Sequence, residues 1–146
     1  MKQLFTIGSS KKTAEKFFTL LEDNNIRCIL DVRLKRKSQL IGFCKYPDIK
    51  FLLKRVSNID YIYDDIFAPS EKLFEAYKKK QISWEEYAKI FLEENSKLKV
   101  YIETYYPDLD KCCLLCSEDK PDKCHRRLLA EMICEHFGEY ELKHLY

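Results

Sequence analysis

The segment Cys124-His125-Arg126-Arg127 lies where a helix is predicted to follow a loop. A helix N-terminus offers unpaired backbone N–H groups and the positive end of the helix dipole, and guanidinium groups grip phosphate or carboxylate through paired hydrogen bonds. A thiol in such a field has a lowered pKa and is partly thiolate at neutral pH. The segment therefore predicts an anion site, with Cys124 as a candidate nucleophile and His125 beside it.

Two alternatives for this segment stay open. Adjacent residues on a helix point about 100° apart, so direct activation of Cys124 by His125 is not assured. In a purely structural interpretation, Cys124 packs beneath the helix, His125 caps it, and the two arginines lie on the surface. An anion site is favoured over a nucleophile.

Neighbouring cysteines raise the question of a metal. Cys112 and Cys116 share one face of an extended segment but lie about 13 Å apart, whereas the ligands of one zinc ion lie about 2.3 Å from it. The geometry does not exclude a smaller metal-binding set of Cys116, Cys124 and His125. It does not exclude a Cys116–Cys124 redox pair either. Because the spacing C-x7-C-H is not a standard zinc pattern, we assign no metal, and no cofactor follows from the sequence.

Polar residues also follow three other predicted turns and strands. Asp31 and Arg33 are two apart on a strand, so they point to the same side and either pair with each other or share a ligand. Glu118, just past a strand, is a candidate general base. The turn Gly8-Ser9-Ser10 would let the backbone approach a ligand, although it falls short of a dinucleotide fingerprint.

The elements that position these residues follow from hydrophobic spacing and from turn residues. The predicted order is β-α-β-α-β-α-α-β-α-β, and residues 100–106 are compatible with strand or helix. This order indicates a three-layer, Rossmann-like α/β fold with a mostly parallel sheet. In such sheets ligands bind beyond the carboxyl ends of the strands, where the candidate residues lie. Pro121 is expected to begin the last helix.

Length and composition exclude several classes. The 146 residues, with 46% apolar residues, 3 Gly and 4 Pro, are typical of one packed domain, expected to span 1–146, and not of a disordered or collagen-like chain. No apolar run approaches the ~18 residues of a membrane span. The 7 cysteines are an odd number and several lie in apolar runs, so we expect reduced thiols and a cytoplasmic protein.

The formal net charge of +2 hides an asymmetry. Residues 1–56 hold 13 basic and 5 acidic residues, whereas residues 57–146 hold 13 and 19. The basic segment 33–55 is typical either of an ordinary solvated surface or of a surface that attracts phosphates. Nucleic-acid binding through this segment is therefore a secondary hypothesis.

The same segments resemble a known bacterial and archaeal family, the Domain of Unknown Function 488. The motifs that carry the resemblance span nearly the whole chain: Thr6-Ile7-Gly8-Ser9-Ser10, Asp31-Val32-Arg33, Ala68-Pro69-Ser70, Ala76-Tyr77-Lys78, Ser83-Trp84-Glu85-Glu86-Tyr87, Leu114-Leu115-Cys116-Ser117-Glu118 and Cys124-His125-Arg126-Arg127-Leu128-Leu129-Ala130-Glu131. The resemblance supplies no reaction, but it implies that eight motif residues belong to one site, namely Gly8, Asp31, Arg33, Cys116, Glu118, Cys124, His125 and Arg126. One departure is Ser9, where the family often has His, so Ser9 is expected only to bind.

Together these patterns predict an enzyme that acts on a small phosphorylated or nucleotide-like anion held beyond the strand ends. The candidate catalytic residues are Cys124, His125, Glu118 and Asp31, and the candidate anion-binding residues are Gly8, Ser9, Ser10, Arg33, Cys116, Arg126 and Arg127. The alternative is a non-catalytic module that binds nucleic acid or protein through residues 33–55. The sequence does not distinguish a hydrolase from a transferase, and it does not define an oligomeric state.

Overall fold

Strands and α-helices alternate along the chain in the computed structural model, which describes residues 1–38 and 41–146. Residues 39 and 40, in the basic segment, lie outside the described part. The elements, in chain order, are β1 (Lys2–Gly8), α1 (Ala14–Asp23), β2 (Cys28–Asp31), α2 (Asp48–Ser57), β3 (Asp60–Tyr63), α3 (Glu71–Lys78), α4 (Trp84–Glu94), α5 (Leu98–Tyr105), β4 (Cys112–Cys116), α6 (His125–Phe137) and β5 (Tyr140–Leu145).

The five strands form one sheet in the order β3-β2-β4-β1-β5, and all four pairings are parallel. Helices cover both faces, so the predicted three-layer α/β class is confirmed. The register places Gly8 beside Cys116 and Asp31 beside Leu115. The ends of β1, β2 and β4 therefore meet at one edge of the sheet, which brings three of the predicted polar segments together.

Strand alternation decides which side of the sheet each β4 residue faces. Cys112, Leu114 and Cys116 pack into the core shared with α3, α4, α5 and α6, whereas Cys113 and Leu115 pack into the core shared with α1 and α2. All five residues are buried, which agrees with a central strand covered on both faces. Cys116, the last residue of β4, is thereby directed toward α4 and α6.

The structure resolves one segment that the sequence left open and corrects one prediction. Residues 100–106 are compatible with strand or helix from the sequence, and 100–105 form most of α5. Leu98 and Ile102 are buried while Val100 is 67% exposed, so burial follows a helical and not an alternating period.

The last helix begins at His125, not at Pro121, so that prediction is wrong. Cys124 precedes the helix with an extended backbone, φ −138° and ψ 139°, which cannot continue a helix back to Pro121. Cys124 is therefore the N-cap residue and His125 the first residue of α6.

None of the described helices is long and apolar enough to cross a membrane.

Candidate functional site

A cavity of about 150 Å³ opens at the carboxyl ends of β2 and β4, beneath α3 and α4. Its lining combines a thiol and imidazole cluster, aromatic rings and basic side chains, namely Arg33, Leu34, Lys35, Pro69, Phe74, Tyr77, Trp84, Tyr87, Cys116, Ser117, Glu118, Lys123, Cys124 and His125. Three elements far apart in the sequence contribute: the end of β2, the α3–α4 pair, and the β4–α6 connection. We call this cavity the aromatic pocket.

His125 is oriented by a hydrogen bond on the side away from the pocket cysteines. Its Nε2 lies 2.7 Å from the carbonyl oxygen of Val32, just past β2. Because a carbonyl oxygen only accepts, Nε2 carries the hydrogen, and Nδ1 of the neutral ring is left as an acceptor. That Nδ1 lies 3.5 Å from Sγ of Cys116. The fold thus fixes the tautomer that points a free nitrogen lone pair at a thiol.

The two pocket thiols have opposite pKa shifts. A hydrogen bond from the Cys124 thiol lowers the pKa of Cys116, although burial opposes this effect. The backbone N–H groups of Ser117 and Glu118 and the positive charge of Arg126 lower the pKa of Cys116 further. The hydrogen bond to Cys116, together with burial, raises the pKa of Cys124 well above its usual range. The two thiols therefore share a hydrogen bond that favours a thiolate on one of them. The role of Cys124 as a nucleophile stays a prediction.

These residues also form a compact set of metal-binding atoms. One ligand atom each from Cys116, Cys124 and His125 lies within 4.8 Å of the other two, and all three residues are buried. Sulfur and imidazole nitrogen are the donors that zinc and related transition metals prefer. The sequence analysis assigns no metal because the spacing C-x7-C-H is irregular. In the structure, the loop between β4 and α6 folds back and brings the three residues together despite that spacing.

Asp31 and Arg33 pair with each other at the end of β2. Arg33 donates from Nε to Oδ1 and from Nη2 to Oδ2 of Asp31, both at 2.9 Å, and from Nη2 to the carbonyl oxygen of Cys44 at 2.7 Å. The Tyr61 hydroxyl donates to Oδ2 of Asp31 at 2.5 Å. Asp31 is fully buried and does not line the pocket, whereas Arg33 does. The pairing supports the structural interpretation of Asp31 and leaves Arg33 at the pocket edge.

Gly8 and Arg126 hold the loop after β4 from behind the pocket. A Cβ atom at Gly8 would lie 1.6 Å from the carbonyl oxygen of Glu118, so the close backbone approach predicted for Gly8 is made by this loop. Arg126 is fully buried and donates to the carbonyl oxygens of Glu118 and Asp119, the latter at 3.1 Å. Lys12, which the sequence analysis missed, pairs with the Asp119 carboxylate at 2.6 Å.

The predicted serines contribute through their backbones. The N–H of Ser9 donates to the Cys116 carbonyl oxygen at 2.9 Å, and the N–H of Ser10 donates to that of Ser117 at 3.1 Å. These bonds extend the β1–β4 ladder past the last paired residues. Gly8, Ser9, Ser10 and Arg126 therefore fix the loop that carries Cys116 and Glu118, and they do not line the pocket.

Replacing Arg126 with methionine is expected to lower the free energy of unfolding by about 2 kcal/mol, because two carbonyl oxygens lose a charged donor. Arg127 provides the matched control: it is half-buried and its pair with Glu131, at 3.6 Å, lies on the helix surface. Arg127→Met should cost less than about 1 kcal/mol. Urea unfolding of the two variants measures the difference, and equal losses would show that Arg126 does not hold the loop.

Glu118 is an exposed residue in the pocket lining, as a general base that meets substrate must be. Arg127 does not line the pocket, and its guanidinium carbon lies 5.9 Å from the centroid of the Trp84 ring. Of the predicted site residues, the structure therefore gathers Arg33, Cys116, Glu118, Cys124 and His125 around one cavity. Their predicted chemical roles remain predictions.

Sequence reasoning missed the aromatic wall. Phe74 and Tyr77 of α3 and Trp84 and Tyr87 of α4 all line the pocket, yet none of them is among the predicted site residues. The rings of Trp84 and Tyr87 are stacked, with centroids 5.2 Å apart and 19° between their planes. The available signal was the concentration of aromatic residues on two consecutive short helices. Lys35 and Lys123, at the rim, were missed as well.

The fold and the site define a three-layer α/β protein with a buried Cys-Cys-His cluster at the carboxyl edge of a parallel sheet. The family described as Domain of unknown function DUF488 matches residues 13–133, and the chain belongs to this family. This confirms the predicted resemblance. No curated protein and no solved structure matches the chain at a significant level.

Proposed function

We propose that the protein is an enzyme that acts on a small molecule carrying both a planar ring and an anionic group. The substrate binds in the aromatic pocket with its reacting end against Cys116 and His125. The observation that carries the proposal is the composition of this one cavity, where a reactive cluster, an aromatic wall and basic side chains face the same small volume.

The aromatic wall favours a ring-bearing ligand. Tyr77, Trp84 and Tyr87 form a continuous set of ring contacts, with centroids between 5.1 and 5.7 Å apart. Stacking of a ligand ring against such side chains is worth about 1–3 kcal/mol per ring. A cavity of about 150 Å³ has room for one such ring and little more. The rest of the ligand therefore extends toward the rim.

The rim favours a negative charge. Lys35 and Lys123 are exposed cations in the pocket lining, while Glu118 is its one acidic residue among those described. Arg33 lines the pocket too, but its charge is paired with Asp31. Lysine and arginine bind phosphate and carboxylate through charge-assisted hydrogen bonds, which are about twice as strong as neutral ones. A nucleotide-like or aryl phosphate can stack its ring on the aromatic side chains and place its phosphate beside the basic ones. This agrees with the class of substrate that the sequence predicts.

Acid–base chemistry at the closed end of the pocket uses two groups of this chain. In its neutral form the His125 ring has an acceptor Nδ1 beside Cys116, which can take up a proton, and its Nε2–H bond to the Val32 carbonyl oxygen keeps the ring in place. Glu118, on the loop held by Gly8 and Arg126, offers a carboxylate on the same cavity. Both groups are positioned by the fold before any ligand binds.

A thermal-shift experiment with phenyl phosphate and uridine 5′-monophosphate tests the proposal. Saturating ligand is expected to raise the melting temperature by about 5 °C, whereas phenol or inorganic phosphate alone raises it far less. Lys123→Gln should remove at least about half of the shift, because the rim loses a cation. Lys120→Gln is the matched control, since Lys120 is exposed on the same loop but does not line the pocket.

Turnover is then followed by mass spectrometry of the stabilising compound incubated with the protein. Cys116→Ala should abolish turnover while Cys134→Ser retains it, because Cys134 lies outside the pocket. Failure of every ring-bearing anion to stabilise the protein would contradict the proposal. An equal shift in the Lys123→Gln and Lys120→Gln variants would contradict it too.

The binding-module alternative draws on the basic segment 33–55, several of whose cations contact other side chains. The guanidinium carbon of Arg36 lies 3.9 Å from the ring centroid of Tyr46 and 3.7 Å from that of Tyr63. Lys35 pairs with Glu71 and Lys54 with Asp60, but all four side chains are more than half exposed, so these pairs are weak. The composition of the aromatic pocket is what favours the enzyme. Salt-dependent binding of a duplex oligonucleotide that weakens when Lys35, Arg36 and Lys37 are neutralised would favour the module instead.

A further inference from the structure

We propose that Cys116, Cys124 and His125 form a binding site for one divalent transition metal of the zinc class, with its fourth coordination position open to the aromatic pocket. Binding of the metal does not depend on which substrate the pocket takes, so this inference goes beyond the proposed function. The reaction that the metal would support does rest on that function.

The ligand atoms are already close to the arrangement that a tetrahedral metal needs. Zn–S bonds of about 2.3 Å and Zn–N bonds of about 2.0–2.1 Å place a sulfur and a nitrogen about 3.6 Å apart, and two sulfurs about 3.8 Å apart. Sγ of Cys116 and Nδ1 of His125 are 3.5 Å apart, and no pair within the cluster exceeds 4.8 Å.

The outer contacts of the cluster are those of a metal site. Histidines that bind metals generally donate their other ring N–H to a carbonyl or carboxylate, which fixes the ligating nitrogen. His125 does so through Nε2 to the Val32 carbonyl oxygen at 2.7 Å. The loop that follows Cys116 is itself fixed by Lys12 and Arg126 and packs closely against Gly8.

The charge of Arg126 gives an independent argument. Its side chain is fully buried, and among the described residues no carboxylate lies within ion-pair distance of it. Its partners are two carbonyl oxygens and Sγ of Cys124, at 3.7 Å from Nη1. A buried cation needs a compensating negative charge nearby. Anionic sulfur ligands, as in a metal-bound cluster, supply that charge, whereas two neutral thiols do not.

The position of the cluster indicates a reactive site and not a structural one. Structural zinc sites are closed by four protein ligands, whereas catalytic sites use three and leave the fourth position for water or substrate. Here three ligands line one cavity. With a metal bound, Nδ1 of His125 would be a ligand and could not take up a proton, so Glu118, which lines the same cavity, would take a proton from a metal-bound water. For an aryl phosphate, the hydroxide oxygen would form a bond to phosphorus, the phosphorus–oxygen bond to the ring would break, and Glu118 would return the proton to the released ring oxygen.

Metal uptake by the full-length protein tests the site without knowledge of the substrate. Protein purified without chelators is analysed for metal by mass spectrometry, and the chelated, reduced protein is titrated with Co²⁺. One Co²⁺ per chain is expected to bind, with a sulfur-to-cobalt charge-transfer absorption band and the visible bands of tetrahedral cobalt. Because this readout uses the unaltered chain, it does not depend on any variant folding.

Variants then locate the ligands. Cys116→Ser, Cys124→Ser and His125→Gln are each expected to weaken Co²⁺ binding by at least about tenfold. Cys134→Ser is the matched control, because it also leaves six thiols but removes one outside the cluster. Equal loss in the control would overturn the site, as would the absence of the charge-transfer band in the unaltered protein. A Cys116–Cys124 disulfide in place of bound metal in the protein purified without chelators, located by peptide mapping, would assign the pair to redox chemistry and overturn the site as well.

The outcomes separate this inference from the proposed function. If phenyl phosphate stabilises metal-free protein and cobalt does not bind, the results support the proposed ligand pocket and contradict the metal site. If cobalt binds but no ring-bearing anion stabilises the protein, the results support the metal site and contradict the proposed substrate class.

Discussion

Replacing Gly8 with alanine is expected to lower the free energy of unfolding by at least about 3 kcal/mol. The added Cβ atom would lie 1.6 Å from the carbonyl oxygen and 2.5 Å from the carbonyl carbon of Glu118. Both are backbone atoms of a loop that Lys12 and Arg126 fix from other directions, so a side-chain rotation cannot relieve the overlap. Urea unfolding monitored by circular dichroism measures the loss.

Gly42 provides the control for Gly8. A Cβ atom at Gly42 meets nothing within 4 Å, and its backbone is not in the left-handed region. Gly42→Ala is therefore expected to change stability by less than about 1 kcal/mol and, if anything, to increase it by restricting the unfolded chain. A Gly8→Ala variant as stable as Gly42→Ala would mean that the loop after β4 does not lie against β1 as described.

The same substitution should also disrupt the site. The loop that would be displaced carries the N–H groups directed at Cys116, so Gly8→Ala is expected to weaken cobalt binding even under conditions in which the protein remains folded. Measuring cobalt uptake well below the melting temperature separates this effect from global unfolding.

Replacing Asp31 with asparagine is expected to cost about 3–5 kcal/mol, because it leaves the charge of Arg33 buried without its partner. Asp31 is fully buried, and its carboxylate accepts hydrogen bonds from the Arg33 side chain, the Arg33 backbone N–H and the Tyr61 hydroxyl. The pKa of Arg33 is raised by this hydrogen bonding and charge pairing, against the opposing effect of burial. Chemical denaturation measures the cost.

Asp60 is the matched control for Asp31. It makes an ion pair with Lys54 at 2.8 Å, but both side chains are more than half exposed. Solvent screens such pairs, so Asp60→Asn should cost less than about 1 kcal/mol. The double variant Asp31→Asn, Arg33→Gln is expected to recover part of the loss, since it removes the unpaired charge. Equal losses for Asp31→Asn and Asp60→Asn would contradict the buried pair.

Most of the fold could be predicted from the sequence because local patterns agree with the tertiary structure. The run Cys112–Cys116 is apolar throughout, which is typical of a central strand, and Ser83 with Glu86 forms the predicted capping box of α4. Where local signals conflicted, prediction failed. Pro121 suits a first helical turn, yet the chain stays irregular up to the extended Cys124.

Part of the site could be predicted and part could not. The carboxyl ends of parallel strands share an edge, which is why Gly8, Arg33 and Cys116 could be placed together from their positions alone. The aromatic wall came from α3 and α4, tens of residues from any of these positions, and nothing local distinguishes a ring that lines a cavity from one that fills a core. Only the packing of these helices over β2 and β4 made the distinction.

The sequence by itself determined the α/β class, the family and the candidate site residues, because periodicity, motifs and turn residues are local properties of the chain. The tertiary structure decided where each residue lies and what it contacts. It directed Arg126 and Gly8 to the loop, paired Asp31 with Arg33, and set Cys116 between His125 and Cys124. The physical reason is that burial, hydrogen-bond partners and the distances between ligand atoms depend on contacts across the sheet, which no spacing in one strand or helix encodes.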